Sequence, residues 1–150
     1  MRQIIYLDSS ALVKRYLNEA SSDDVNSLIE SADILGSVKL TRTEIASALQ
    51  KAVRMGWAER PATLQAWQDF LQHWEASFAK LSVSDLTIEK AASLAWEYGL
   101  RGYDAIHLAS ALLWQDAIGE PITFATYDRE LWLAAQKSGM TVWPQGLVSS

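Results

Sequence analysis

With 150 residues, 49% of them hydrophobic, and no cysteine, the chain can bury one core without disulfide staples, which excludes a small stapled scaffold and sets a single domain as the expectation. Only three prolines and seven glycines, with no run of like charges, exclude the disordered and collagenous classes. A formal net charge of −5 offers no bulk attraction to backbone phosphates, so a polyanionic substrate would need bound cations or a local basic rim.

Ile4–Leu7 has β-prone residues in a run too short for a secretory signal, and no segment reaches the roughly 18 to 20 apolar residues of a membrane span, so a cytoplasmic protein without membrane contact is expected. Asp8 closes that first strand. Helical spacing follows in Leu12, Val13, Tyr16 and Leu17 and again in Val25, Leu28 and Ile29. Ile34–Val38 reads as the second strand. Ile45, Leu49, Ala52 and Val53 share a helix face, and after Pro61 the stripe Leu64, Trp67, Leu71, Trp74 and Phe78 marks the longest helix. Residues 41–79 together predict a helical arm inserted between the second and third strands. A weak third strand is expected at 81–83, then helices over 87–98 and from 103 to about 114. A fourth strand at 122–125, a helix over Arg129–Lys137 stopped by Gly139, and a last strand Thr141–Trp143 closed by Pro144 complete the chain. Short strands alternating with helices predict an α/β fold, a parallel sheet of four to five strands flanked by helices, in one domain over 1–150.

Open parallel sheets bind ligands outside the carboxyl ends of their strands, which directs attention to acids placed there. Asp8 ends the first strand and Asp128 follows the fourth, while Glu44 and Asp104 lie in early helical turns entered near the same edge. Like charges brought together need protons or a cation. All-oxygen ligands favour Mg²⁺ or Mn²⁺, and softer metals are disfavoured because the chain has no cysteine and only His73 and His107, without ligand spacing. Each acid also has a plain structural explanation. Asp8 and Asp128 suit helix N-caps, Thr41 to Glu44 fits a capping box, and Asp104 suits the positive end of a helix dipole.

Four segments carry a resemblance: Leu7-Asp8-Ser9-Ser10-Ala11-Leu12-Val13-Lys14, Thr43-Glu44-Ile45-Ala46-Ser47-Ala48, Gly102-Tyr103-Asp104-Ala105-Ile106-His107-Leu108-Ala109 and Phe124-Ala125-Thr126-Tyr127-Asp128. In order and spacing they resemble the acidic motifs of PIN-domain proteins, above all the VapC-type toxins of bacterial type II toxin–antitoxin pairs, and the likeness spans nearly the whole chain. It implies a three-layer α/β/α sandwich and a Mg²⁺- or Mn²⁺-dependent endoribonuclease, commonly a homodimer, held inactive by a small cognate antitoxin whose tail enters the cleft. Carried over by position, Asp8, Glu44, Asp104 and Asp128 become the metal-site and catalytic set, with Ser9 and Thr126 as supporting hydroxyls. The implied products are a 5′-phosphate and a 3′-hydroxyl.

Lys14, Arg15, Arg42, Arg101 and Arg129 lie near the acidic motifs in sequence and are candidate contacts to RNA phosphates. His107, on an apolar helix face, is expected to pack in the core or make a local hydrogen bond, and His73 is assigned nothing. The aromatic stripe of the arm should pack against its neighbour and is also a candidate protein-binding groove. Two other functions compete: a non-catalytic interaction module whose acidic cleft holds a partner's arginine-containing tail, and a phosphotransfer domain of the receiver or dehalogenase type. The dehalogenase type would want an aspartate where this chain has Ser10, and the receiver type paired acids at the first strand.

Overall fold

A computed structural model describes residues 2–147. In chain order these form β1 (Ile4–Leu7), α1 (Ser9–Leu12) continued by a 3-10 turn over Val13–Arg15, α2 (Ser22–Ser31) and β2 (Ile34–Val38). The arm follows as α3 (Leu40–Arg54) and α4 (Arg60–Ser77). Then come β3 (Phe78–Leu81), α5 (Asp85–Tyr98), α6 (Gly102–Ile118), β4 (Thr123–Ala125), α7 (Arg129–Lys137) and β5 (Thr141–Trp143). All strand pairs are parallel, in the order β3-β2-β1-β4-β5. The strand order therefore reverses between β1 and β4, the place where an open α/β sheet leaves a crevice beyond its carboxyl ends.

The period of two along β1 builds the three layers. Ile4 and Tyr6 face a core formed with α5, α6 and α7, while Ile5 and Leu7 face a second core formed with α1 to α4. β1 is buried on both faces, as a central parallel strand must be. On β2, Gly36 is required by packing: the indole of Trp114 on α6 lies so close to its Cα that any Cβ would collide with the ring. In the arm, Trp67, Phe70 and Trp74 stack at centroid distances of 5.4 and 5.5 Å, and Phe70 and Trp74 are buried against the sheet. Burying such a ring stabilises by roughly 1.5 to 3 kcal/mol.

Three sequence expectations shift. The third strand forms at Phe78–Leu81 rather than 81–83, because Phe78 leaves the helix with extended backbone and pairs with Leu35. The expected first helix breaks into one α-turn and the 3-10 turn. The arm's buried face runs through Phe70 and Trp74, leaving Leu64 half exposed. Among the described residues no helix is long and apolar enough to cross a membrane.

Candidate active site

Asp8 extends the β1–β4 ladder by donating its backbone N–H to the Ala125 carbonyl at 3.1 Å, and it then starts α1. Its Oδ1 accepts from the Ala11 N–H at 3.0 Å, an N-cap, and from the Ser10 hydroxyl at 2.7 Å. Its Oδ2 accepts from the Thr126 hydroxyl at 2.6 Å. Only 3% of Asp8 is exposed. Burial pushes its carboxyl above the usual value of 3.8, against the lowering effect of His107 and of the three hydrogen bonds.

Thr126 joins Asp8 to Asp128. Its Oγ1 accepts from the Asp128 N–H at 3.0 Å while donating to Asp8. Asp128 caps α7 through Oδ1, which accepts from the Leu131 N–H at 2.9 Å, and turns Oδ2 to Arg101 at 3.2 Å. The same guanidinium donates to Asp104 Oδ2 at 3.0 Å, so Arg101 spans two acids on different helices. Gly99 makes this possible: its φ of 68° ends α5 and turns the chain toward Arg101 and the first turn of α6. Burial and the nearby Asp128 raise the Asp104 carboxyl, opposed by Arg101 and His107.

Glu44 is not part of a capping box. α3 begins at Leu40 with Lys39 as its N-cap and no side-chain cap bond, and Thr41 points inward to share a 2.6 Å hydrogen bond with Ser37. Glu44 instead meets His107, with Oε1 at 2.5 Å from Nε2. The other ring nitrogen, Nδ1, lies 2.7 Å from the Tyr6 hydroxyl. Tyr6 is fully buried, which raises its phenol well above the usual value.

Asp8, Asp104 and Asp128 thus come together at the switch point through shared partners, and Glu44 is tied to α6, the helix of Asp104, through His107. Among the described residues no three His, Cys, Asp or Glu side chains stand close enough to enclose an ion by themselves. The donor chemistry nonetheless suits Mg²⁺ or Mn²⁺. These are hard carboxylate oxygens, Mg²⁺ ordinarily takes only one or two of them while keeping waters, and two of the carboxyls are held in a state that a cation would relieve.

The other expected residues divide. Thr126 is fully buried at the centre of the site. Beside Asp8 the bonding hydroxyl belongs to Ser10 rather than Ser9. Ser10 also accepts from the Tyr127 N–H at 3.0 Å, whereas Ser9 is half-buried on the first turn of α1. Of the five basic residues, Arg101 pairs with two of the acids. Lys14 pairs with Glu19 at 2.7 Å and lies 4.5 Å from the centroid of the Tyr127 ring, next to Asp128. Arg15 donates to Asn26, Arg42 stands 3.9 Å from Glu75, and Arg129 is exposed in the first turn of α7. The sequence drew attention to Ser9 and passed over Ser10, while His107 is buried as expected, with hydrogen bonds that reach Tyr6 and Glu44 rather than local groups. The available signal was spacing: Ser10 lies two residues after Asp8 in the same turn, and His107 lies three after Asp104 on the same helix face.

Known proteins share this fold. A family profile described as PIN domain matches residues 5–135. Ribonuclease VapC45 of Mycobacterium tuberculosis is 33% identical over 148 residues, covering 96% of this chain and 97% of that protein. Ribonuclease VapC46 of the same organism is 33% identical over 138 residues, covering 92% of this chain and 95% of that protein. Among solved structures, FitAcB from Neisseria gonorrhoeae superposes with a TM-score of 0.62 at 17% identity, over 94% of this chain and 97% of that one. A toxin-antitoxin complex from Klebsiella pneumoniae gives 0.59 at 18% identity, over 83% and 86%. At those identities the two structures speak to the fold.

Proposed function

The chain belongs to the PIN-domain family, and on that premise we propose that it is a Mg²⁺- or Mn²⁺-dependent endoribonuclease, the toxin of a cytoplasmic toxin–antitoxin pair, inhibited by a small cognate antitoxin. One observation carries the reading: three carboxylates from β1, α6 and the β4–α7 junction are drawn together through Thr126 and Arg101 at the carboxyl edge of the sheet. No packing need explains that convergence, since helix capping uses only one oxygen each of Asp8 and Asp128.

Asp8, Asp104 and Asp128 would hold the metal, with Glu44 completing the site or orienting a water. A bound Mg²⁺ or Mn²⁺ supplies an acidified water and neutralises charge on the phosphodiester. The protein's own groups set the stage. Ser10 and Thr126 hold Asp8 by both oxygens, so its carboxylate cannot rotate freely. His107 is buried and committed at both nitrogens, which leaves it no role as a base toward RNA. Arg101, which pairs with two of the acids, and Lys14, which lies over the Tyr127 ring, are assigned to substrate phosphates, and Arg129 to the same rim. The chain is proposed to act as a homodimer.

A second reading, a non-catalytic module, is favoured by Arg101 itself, whose guanidinium seats between Asp104 and Asp128 as a partner's arginine would. One experiment separates the two. The purified protein and its Asp8→Asn variant are incubated with total cellular RNA in Mg²⁺, in Mn²⁺ and in EDTA, and new 5′ ends are mapped. The nuclease reading predicts discrete metal-dependent cuts bearing 5′-phosphates. Asp8→Asn should lower the rate by on the order of a thousandfold with the fold retained, the equivalent of several kcal/mol of lost transition-state stabilisation. Cleavage by Asp8→Asn at the wild-type rate would overturn the site, and a folded wild type that binds metal but cuts nothing would favour the binding module.

A further inference from the structure

We propose that His107 is a positioning residue of the acidic site, holding the Glu44 carboxylate by its Nε2–H while Tyr6 sets the ring that does so. The inference rests on the reading of Glu44 as a member of that site. Three elements meet here. Tyr6 lies on β1 two residues before Asp8, His107 lies on α6 three residues after Asp104, and Glu44 lies on α3. One hydrogen-bonded chain therefore ties the carriers of three of the four carboxylates.

The direction of that chain follows from its last member. The Glu44 carboxylate can only accept, so His107 Nε2 carries a proton and donates to Oε1 at 2.5 Å. In the neutral ring Nδ1 then accepts from the Tyr6 hydroxyl at 2.7 Å. The Tyr6 oxygen in turn accepts from the backbone N–H of Val38 at 3.3 Å. Packing alone does not account for this arrangement. Its neighbours on α6, Ala105, Leu108 and Ala109, are buried and apolar, and an imidazole there costs desolvation that a leucine would not. The cost is offset because both nitrogens are used, and one of them grips a carboxylate that is itself one-fifth exposed. Residues that orient a ligand carboxylate or imidazole typically change affinity or rate by about 10- to 100-fold when removed.

The test uses the full chain as wild type, His107→Phe, His107→Gln, Glu44→Gln and the double variant His107→Phe/Glu44→Gln. Gln is chosen because its Nε2 can reach the place of the imidazole Nε2. Three readouts are taken: cleavage of total RNA at a mapped site, Mn²⁺ binding followed by electron paramagnetic resonance, and the ¹⁵N spectrum of the histidines. His107→Phe should lower kcat about 10- to 100-fold with the RNA KM unchanged, and weaken Mn²⁺ binding by the same factor as Glu44→Gln. His107→Gln should recover most of the loss. The double variant should be no slower than Glu44→Gln alone. The wild-type spectrum should show His107 protonated at Nε2, a feature lost in Glu44→Gln or shifted there. The inference is overturned if His107→Phe behaves like wild type while Glu44→Gln is impaired. Equal damage from His107→Gln and His107→Phe would overturn it too, as would losses that multiply in the double variant or a proton on Nδ1 alone. If Glu44→Gln itself is silent in cleavage and in Mn²⁺ binding, it is the site reading of Glu44 that fails. Should His107→Phe not fold, Tyr6→Phe keeps the ring and deletes the hydroxyl, and it should still lower kcat about threefold to tenfold. A wild-type kcat in that variant counts against the chain.

Discussion

Asp8 divides its labour between two oxygens. Oδ1 caps α1 and takes the Ser10 hydroxyl, Oδ2 takes Thr126, and the buried carboxyl is left harder to ionise than a free one. The capping and the catalytic readings of the sequence were never exclusive, because a capping bond occupies one lone pair and leaves the others. A pH signature follows. The unfolded chain ionises Asp8 near 3.8, whereas the folded chain keeps the proton to higher pH, so between those values the native state binds more protons. Raising the pH through that window lowers stability, and Asp104 adds in the same direction. Urea unfolding of the metal-free wild type and Asp8→Asn between about pH 4 and about pH 7 should show the wild type losing ground to the variant as pH rises. A difference that stays flat, or that grows in favour of the wild type, would mean that Asp8 carries no burial penalty.

The helices and strands repeat the lesson on a larger scale. Gly36 on β2 is the floor on which Trp114 of α6 rests, so Gly36→Ala should destabilise by about 1 to 3 kcal/mol through overpacking, read as a lower urea midpoint with an unchanged slope. Exchange of Trp114 for the smaller leucine in the same chain should restore part of the loss. β1, β2 and β5 were legible because each is a short apolar run bounded by polar or turn residues, and β4 differs from its expected span only by Ile122. β3 was misplaced for a definite reason. Phe78 continues the four-residue spacing from Trp74, so helical periodicity claimed it, but pairing with Leu35 on β2 decides its conformation. The four acids were legible because all follow strands or open helices at one edge. Their partners were not, since Ser10 is chosen over Ser9 by the rotation of a single helical turn, and His107 meets Glu44 across 63 residues of sequence. The sequence placed Arg101 near the acids but not its pairing, which spans Asp104 and Asp128 because two neighbouring carboxylates attract the nearest cation.

For the molecule as a whole, an excess of five negative charges is reconciled with the proposed anionic substrate by a basic rim and by converting the acidic centre into a cation site. The proposed Mg²⁺ or Mn²⁺ site would make that conversion where the carboxylates meet at the switch point. Metal binding to the native state must then appear as stability. At about a hundredfold excess over Kd the gain is about 2.7 kcal/mol, which for a chain of this size raises Tm by roughly 5 to 10 °C. The most direct test is a thermal unfolding titration with Mn²⁺ on the wild type, Asp8→Asn and Asp104→Asn at neutral pH. The account predicts a saturable rise in Tm for the wild type that both variants lose. An equal rise in all three, or none in the wild type, would contradict it.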